Sequence, residues 1–154
     1  MKKLTMFLLT GLLILPLATG CGSSSGRRAS TPVAAPAGST LAAFLEDHVY
    51  FDYDRYNIRP DAAATIKLKA DYFSQVPRLK AEIQGHCDER GTEAYNMALG
   101  DRRAKAVYNY ATSLGVDGSR MSVVSYGKER PLDPGHNEAA WSRNRRAQFV
   151  ITAQ

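Results

Sequence analysis

Cysteine is scarce in this chain, with two among 154 residues, Cys21 and Cys87, and two cannot build a disulfide framework. Histidine is nearly as rare. His48, His86 and His136 show no His-x-x-x-His spacing, and no Cys-x-x-Cys accompanies them. The usual ligand spacings of a zinc site are missing, so neither a metal nor a cofactor is expected. No apolar run reaches the ~20 residues that a helix needs to cross hydrocarbon, and no internal repeat is visible. Acidic residues fall short of basic ones, 15 against 20, for a formal charge of +5. This mild excess suits an anionic polymer or a membrane surface and does not by itself establish nucleic acid as a partner. What is present is ordinary for a folded protein: 44% hydrophobic and 23% charged residues, which exclude wholesale disorder and a polytopic membrane protein. The length suits one domain with tails.

The longest apolar run, Leu4 to Leu17, follows Lys2 and Lys3 and precedes the small residues Ala18-Thr19-Gly20. That order is the layout of an export signal, here residues 1–20. Ending in Gly20-Cys21, it resembles a bacterial lipobox, with Leu17 one place further from the cysteine than the pattern prefers. The resemblance implies cleavage before Cys21, a thioether from its thiol to diacylglycerol, and acylation of its new amine. Gly22 in place of Asp implies transport onward to the outer membrane. Each buried CH₂ contributes ~0.8 kcal/mol, and more than one chain is needed for stable anchoring. Loss of Lys2 and Lys3 would leave 18 basic residues against 15 acids; with export, this disfavours nucleic acid further. From Gly22 to Thr40 the chain is mostly Ser, Gly, Ala and Pro, with Thr31, Val33 and Thr40 and with Arg27 and Arg28 as its only charges, too poor in large apolar groups for a core. Residues 21–40 are expected to be the lipidated cysteine and a flexible tether, ~65 Å long when extended and ~25 Å as a coil.

Residues 41–154 read as one α/β domain. His48 to Phe51 is a β-branched and aromatic run closed by Asp52-Tyr53-Asp54, a short strand and turn. Pro60 at a first helical position, with Asp61 in the first turn, opens a helix whose apolar face is Ala62, Ile66, Ala70, Phe73 and Val76; Pro77 stops it. Leu79 to Gln84 alternates apolar with polar residues, a half-buried strand ending at Gly85. Thr92 is an N-cap for a second helix that puts Leu99, Arg103, Ala106, Val107, Tyr110, Ala111 and Leu114 on neighbouring ridges before Gly115. Met121 to Tyr126 and Ala147 to Thr152 complete the strands, with a helical turn over Glu138 to Arg143 between them. The order β-α-β-α-β-(α)-β predicts a mixed four-stranded sheet with helices on one face.

Polar groups concentrate in Gly85-His86-Cys87-Asp88-Glu89-Arg90-Gly91-Thr92, followed by Tyr95-Asn96 and Leu99-Gly100-Asp101-Arg102-Arg103-Ala104. A loop leaving a strand for a helix is where such a sheet presents ligand groups, because the helix's first N–H groups are also free. Asp88 lies in the loop and Arg103 on the helix, ~15 Å along its axis, so the loop must fold back for the two to share a site. If they do, one carboxylate and one guanidinium form either a ligand-binding pair or a plain salt bridge pinning loop to helix. Arg143, Arg145 and Arg146 form a basic cluster, with Arg145 and Arg146 expected to hold the site or the last strand.

These motifs, with Val49-Tyr50-Phe51-Asp52, Val124-Ser125-Tyr126-Gly127-Lys128-Glu129 and Glu138-Ala139-Ala140-Trp141-Ser142-Arg143-Asn144-Arg145-Arg146, resemble the OmpA-like domain family from about Val49 to Phe149. Behind a lipobox, they resemble in particular its peptidoglycan-associated lipoproteins. The resemblance implies an α+β sandwich that binds peptidoglycan non-covalently through the diaminopimelate of the stem peptide, as part of the Tol-Pal envelope system. The other implied partner is that system's β-propeller, TolB. It further implies that Asp88 accepts the diaminopimelate ammonium, that Arg103 takes its carboxylate bidentately, that Phe51, Asp52, Arg90 and Leu99 line the pocket, and that Asn96 braces the loop. Cys87 stands where the family usually has Ala and is expected to be buried as a small apolar group. Glu93-Ala94 and Trp141 are milder departures. The alternative function is an envelope hydrolase with His86 as base and Asp88 as orienter. The sequence has neither paired metal-binding histidines nor a Cys-His nucleophile pair to support it, so the expectation is a non-enzymatic tether.

Overall fold

The computed structural model describes residues 40–154. The expected export signal, Cys21 and nearly all of the tether lie outside the described residues. The elements are α1 (Leu41–Glu46), β1 (Val49–Tyr50), α2 (Pro60–Gln75), β2 (Lys80–His86), α3 (Glu93–Ser113), a 3₁₀ turn (Gly118–Arg120), β3 (Met121–Gly127), α4 (Glu138–Asn144) and β4 (Arg146–Ala153). The four strands form one sheet in the order β1-β4-β2-β3. β2 and β3 run parallel, joined by the α3 crossover, and β4 is antiparallel to both of its neighbours. This is the mixed sheet expected from the alternation of patterns.

One face of the sheet carries Val49, Ala81, Ile83, Ala147 and Phe149, all at most 3% exposed, packed with Phe44 of α1, Ile66 and Phe73 of α2, and Ala104, Val107 and Ala111 of α3. Burial of such a set is the main source of stability, at ~25 cal/mol per Å² of apolar surface. The alternate strand residues, among them Glu82, Gln84, Arg146 and Gln148, lie on the other face. Arg120 ties the layers at one end, donating to the carbonyls of Phe73, Val76 and Leu79 at 2.6–3.0 Å.

Three details differ from the sequence pattern. Helix α1 had no counterpart in it. Its six residues are held by tertiary contact: Phe44 packs against Tyr72, Phe73 and Phe149, and Lys69 donates to the Phe44 carbonyl at 2.5 Å. Lys69, on the apolar side of α2, is 2% exposed beneath the rings of Phe44 and Phe149. Strand β2 also continues through Gly85 to His86 instead of ending at Gly85. The glycine marks a crossing: a Cβ at Gly85 would stand 1.9 Å from the Gly100 carbonyl oxygen. Two glycines thus let α3 lie against β2, and beside the expected Leu99, Arg103, Val107 and Ala111 the helix buries Asn96, Gly100 and Ala104, while Ala106 is half-buried and Leu114 exposed.

Candidate functional site

The close crossing at Gly85 sets the corner Cys87–Thr92 above the first turns of α3. Thr92 caps the helix by accepting from the Tyr95 amide. Asn96, 2% exposed, reaches back from α3 to the Arg90 and Thr92 carbonyls at 2.8 and 3.1 Å. Lys128 donates to the Glu89 and Gly91 carbonyls, and Trp141 donates to the Glu89 carboxylate at 2.8 Å. A corner held from three directions keeps its side chains fixed before any ligand arrives.

Asp88 is 4% exposed. It accepts from the Arg90 amide at 3.1 Å, from Arg90 Nη2 at 2.6 Å and from Arg145 Nη1 at 3.3 Å. Burial raises its pKa, but the hydrogen bonds and charge of Arg90, with Arg145, outweigh that and hold the carboxyl below its usual range. Arg90 lies between the rings of Tyr53 and Trp141, 4.0 and 4.2 Å from their centroids. Arg145 also donates to the Phe51 carbonyl and to Glu138.

Arg103 is fully buried and does not bond Asp88. Its Nε donates to the Arg55 carbonyl at 2.8 Å, Nη1 to the His86 carbonyl at 2.9 Å and more weakly to the Cys87 thiol at 3.5 Å, and Nη2 to the Asp52 carbonyl at 3.1 Å. The plain salt bridge is therefore not how these charges are used. Arg103 and Asp88 instead line one small pocket of about 60 Å³, together with Tyr53, Asp54, Arg90, Asn96, Leu99 and Arg145.

Phe51 and Asp52 are placed otherwise than as pocket wall. The Phe51 ring is 1% exposed and lies under the Arg103 guanidinium, 5.2 Å away. Asp52 supplies its carbonyl to Arg103 and turns its carboxylate outward to Arg59 at 2.9 Å. Their part of the wall is taken by Tyr53 and Asp54. Asp54 has a left-handed backbone, φ 56°, which aspartate tolerates better than most residues, and it accepts a hydrogen bond from the Tyr95 hydroxyl. Nothing in the sequence marked this turn as lining. Arg145 was legible only as one of a basic cluster.

Cys87 is 3% exposed, as a small core residue would be, but its thiol also bridges two groups, donating to the Asn96 carbonyl at 3.4 Å while accepting from Arg103. Burial pushes this thiol's pKa up, so it is no ready nucleophile. The His86 imidazole stacks on Tyr126 and makes no hydrogen bond to Asp88, so the base-and-orienter pair of a hydrolase is not assembled. Among the described residues no group of three or more His, Cys, Asp or Glu could hold a metal, and no helix is long and apolar enough to cross a membrane.

The sequence matches the OmpA family over residues 50–145. The peptidoglycan-associated lipoprotein of Pasteurella multocida (strain Pm70) is 40% identical over 147 residues, which cover 96% of this chain and 97% of that protein. The one from Rhizobium meliloti (strain 1021) is 47% identical over 105 residues, 68% of this chain and 60% of its own longer length. The crystal structure of the peptidoglycan-associated lipoprotein from Burkholderia pseudomallei matches with a TM-score of 0.66 and 45% identity, covering 68% of this chain and 89% of that one. With the mixed sheet and the strand-to-helix corner, these likenesses establish that the chain belongs to the OmpA family and, within it, to the peptidoglycan-associated lipoproteins.

Proposed function

We propose that the domain binds peptidoglycan without catalysis, gripping the zwitterionic end of diaminopimelate in the stem peptide. Lipid on Cys21 and the tether would make it a link between outer membrane and cell wall. The observation that carries this reading is the pocket: a buried carboxylate, Asp88, and a buried guanidinium, Arg103, face one cavity the size of an amino-acid head group. An ammonium finds acceptors in Asp88 and Asp54. A carboxylate finds the cations of Arg103, Arg90 and Arg145 around it, and charge-assisted bonds of this kind contribute ~1.5–3 kcal/mol each.

The geometry refines the role of Arg103. Four of its five N–H hydrogens are already committed, one of them to the weak thiol acceptor. A ligand carboxylate would take the remaining Nη2 hydrogen and displace the Cys87 thiol from Nη1, giving the two-point grip that the family resemblance implies. As part of the Tol-Pal system, serving envelope integrity and cell division, the chain would have a TolB-like β-propeller as second partner. Nucleic acid has no place in this reading.

The test is sedimentation of the full chain with purified cell wall. Asp88→Ala and Arg103→Ala should weaken binding by ~2–5 kcal/mol, some thirtyfold to several thousandfold. Arg103→Lys serves as the variant that keeps the buried charge. If Asp88→Ala and a folded Arg103 variant both pellet like the native chain, the site is wrong. Soluble fragments released from the wall would instead favour the hydrolase.

A further inference from the structure

The sheet face turned away from α1–α3 holds a cluster that the peptidoglycan reading does not use. In β-register, Tyr50 of β1 stands opposite Arg146 of β4. One residue beyond the Gly85–Ala147 pair, Arg146 and His86 follow side by side on the same face. Between Gly85 and His86 the pairing to β3 jumps from Ser125 to Gly127, leaving Tyr126 as an extra residue. Such a bulge re-aims a side chain, and here it lays the Tyr126 ring on His86, with centroids 5.7 Å apart and planes at 22°. The Arg130 guanidinium covers Tyr126 in turn, 3.8 Å from the ring centroid.

Across this face the polar accounting does not close. Among the described residues, five buried side-chain nitrogen or oxygen atoms have no hydrogen-bond partner. Four of them belong to this cluster: both ring nitrogens of His86, Nδ1 of His48 and Nη1 of Arg146. His86 is 1% exposed and Arg146 4%. Among the described residues, the Arg146 side chain donates from Nε to Gln148, at the head of a ladder through Gln84 to Glu82. Among the described residues no carboxylate pairs with Arg146. A buried guanidinium without a counter-ion among the described residues, beside two imidazoles whose nearest backbone neighbours, at Arg130 and Asp47, leave ring nitrogens without a well-formed hydrogen bond, is costly to maintain and is suited to an anion.

We infer that Arg146, His86 and His48 form a binding site for a phosphate-class oxyanion on the open face of the sheet, closed by the Tyr126 ring. The chemistry selects the class. Arg146 offers N–H donors, whereas a neutral imidazole offers one N–H and one lone pair. Hydrogen phosphate brings acceptor oxygens together with an O–H, so it answers both kinds of idle group. A carboxylate has two acceptor oxygens and nothing to give the imidazole lone pair. Over His86 the Tyr126 ring is half-buried and the Arg130 side chain on it is exposed, so the anion enters when Tyr126 turns aside.

The experiment is NMR titration of the isotope-labelled full chain with inorganic phosphate, at ionic strength held constant with sodium chloride. The expected result is a saturable shift of the His86 and His48 ring signals and of the Arg146 Nε. Arg146→Gln should weaken it about 10- to 100-fold, the usual scale of a lost charge-assisted bond. Should that variant fail to fold, His86→Asn with Arg146 in place is expected to weaken binding in the same range. Glycerol phosphate in a parallel titration identifies the source: the same saturable shift means that the site accepts a phosphomonoester such as a headgroup, and a response to inorganic phosphate alone means a free-anion site. The inference is overturned if phosphate produces no saturable shift, or if a folded Arg146→Gln responds as the native chain does, in which case solvent fills the cluster.

Discussion

His86 ends β2 and Asp88 lies two positions beyond it in the corner, and acid should act first on the histidine and only at lower pH on the carboxylate. The Asp88 carboxyl titrates below its usual value in the fold. It therefore contributes stability above the unfolded carboxylate pKa of ~3.9 that is lost as pH falls through the lower folded value. His86 is a base whose pKa is lowered to about 3, by burial first and then by the charges of Arg146, His48 and Arg130. The unfolded chain takes up this proton below pH ~6.5 while the folded chain does not, so stability falls with pH from there, by ~1.4 kcal/mol per unit at most. Urea unfolding should show the loss beginning near pH 6, well above the carboxylate range. In His86→Gln the slope between pH 6.5 and 4 should flatten; an unchanged slope would mean that the imidazole is protonated in the fold. Cys87 makes the opposite kind of residue-scale prediction. Its thiol holds an Arg103 hydrogen that a ligand carboxylate needs, so Cys87→Ala should bind stem peptide as tightly as the native chain or up to about tenfold more tightly, measured by calorimetry. Weaker binding would mean that the thiol supports the pocket.

The crossing of β2 and α3 fixes the site at the level of elements. Gly85→Ala would put a methyl group into the Gly100 carbonyl. Backbone, not a flexible side chain, must then move, at a cost of about 1–3 kcal/mol or more. Because Arg103 follows Gly100 by one turn, the shift should also loosen the pocket, so denaturation midpoint and wall sedimentation should fall together. Loss of one without the other would separate packing from site geometry. The sequence made these elements legible to different degrees, and the reason is physical. Helices α2 and α3 are long and periodic, opened by Pro60 and by the Thr92 cap respectively, so local signals found them. Helix α1, at six residues, exists because Phe44 has a pocket among rings from α2 and β4, information absent from its own stretch. Strand order depends on pairings far apart in sequence, and β1 is two residues long. At the site, the sequence showed that Asp88 and Arg103 could meet only if the loop folds back over the helix, and both line the pocket; the turn with its left-handed Asp54 brings Tyr53 and Asp54 there, and not Phe51 and Asp52. Arg103 could be assigned a charge from the sequence; the carbonyls it would spend that charge on came from residues 48 and 51 positions away.

At the scale of the whole domain, the pocket is where three distant stretches of chain are fastened to one another. Arg103 of α3 binds the carbonyls of Asp52, Arg55 and His86, while Arg145 joins the Phe51 carbonyl, Asp88 and Glu138. The segment after β1, the end of β2 and the α4–β4 junction thus share two guanidiniums and one carboxylate. A zwitterion seated among them adds bonds that the unfolded chain lacks, so ligand should stabilise the entire fold by mass action, ~2.7 kcal/mol at a hundredfold excess over Kd. For a domain of this size that corresponds to a rise in Tm on the order of 10 °C. Calorimetry with a diaminopimelate-containing stem peptide should show it, and Asp88→Asn should remove most of it. Hydrogen exchange adds a spatial check. Slowed exchange at the Phe51 and Arg90 amides, which bond the Arg145 carbonyl and Asp88, is expected from a ligand that tightens this junction. Protection appearing only at a distant surface would place the ligand elsewhere, whatever the rise in Tm.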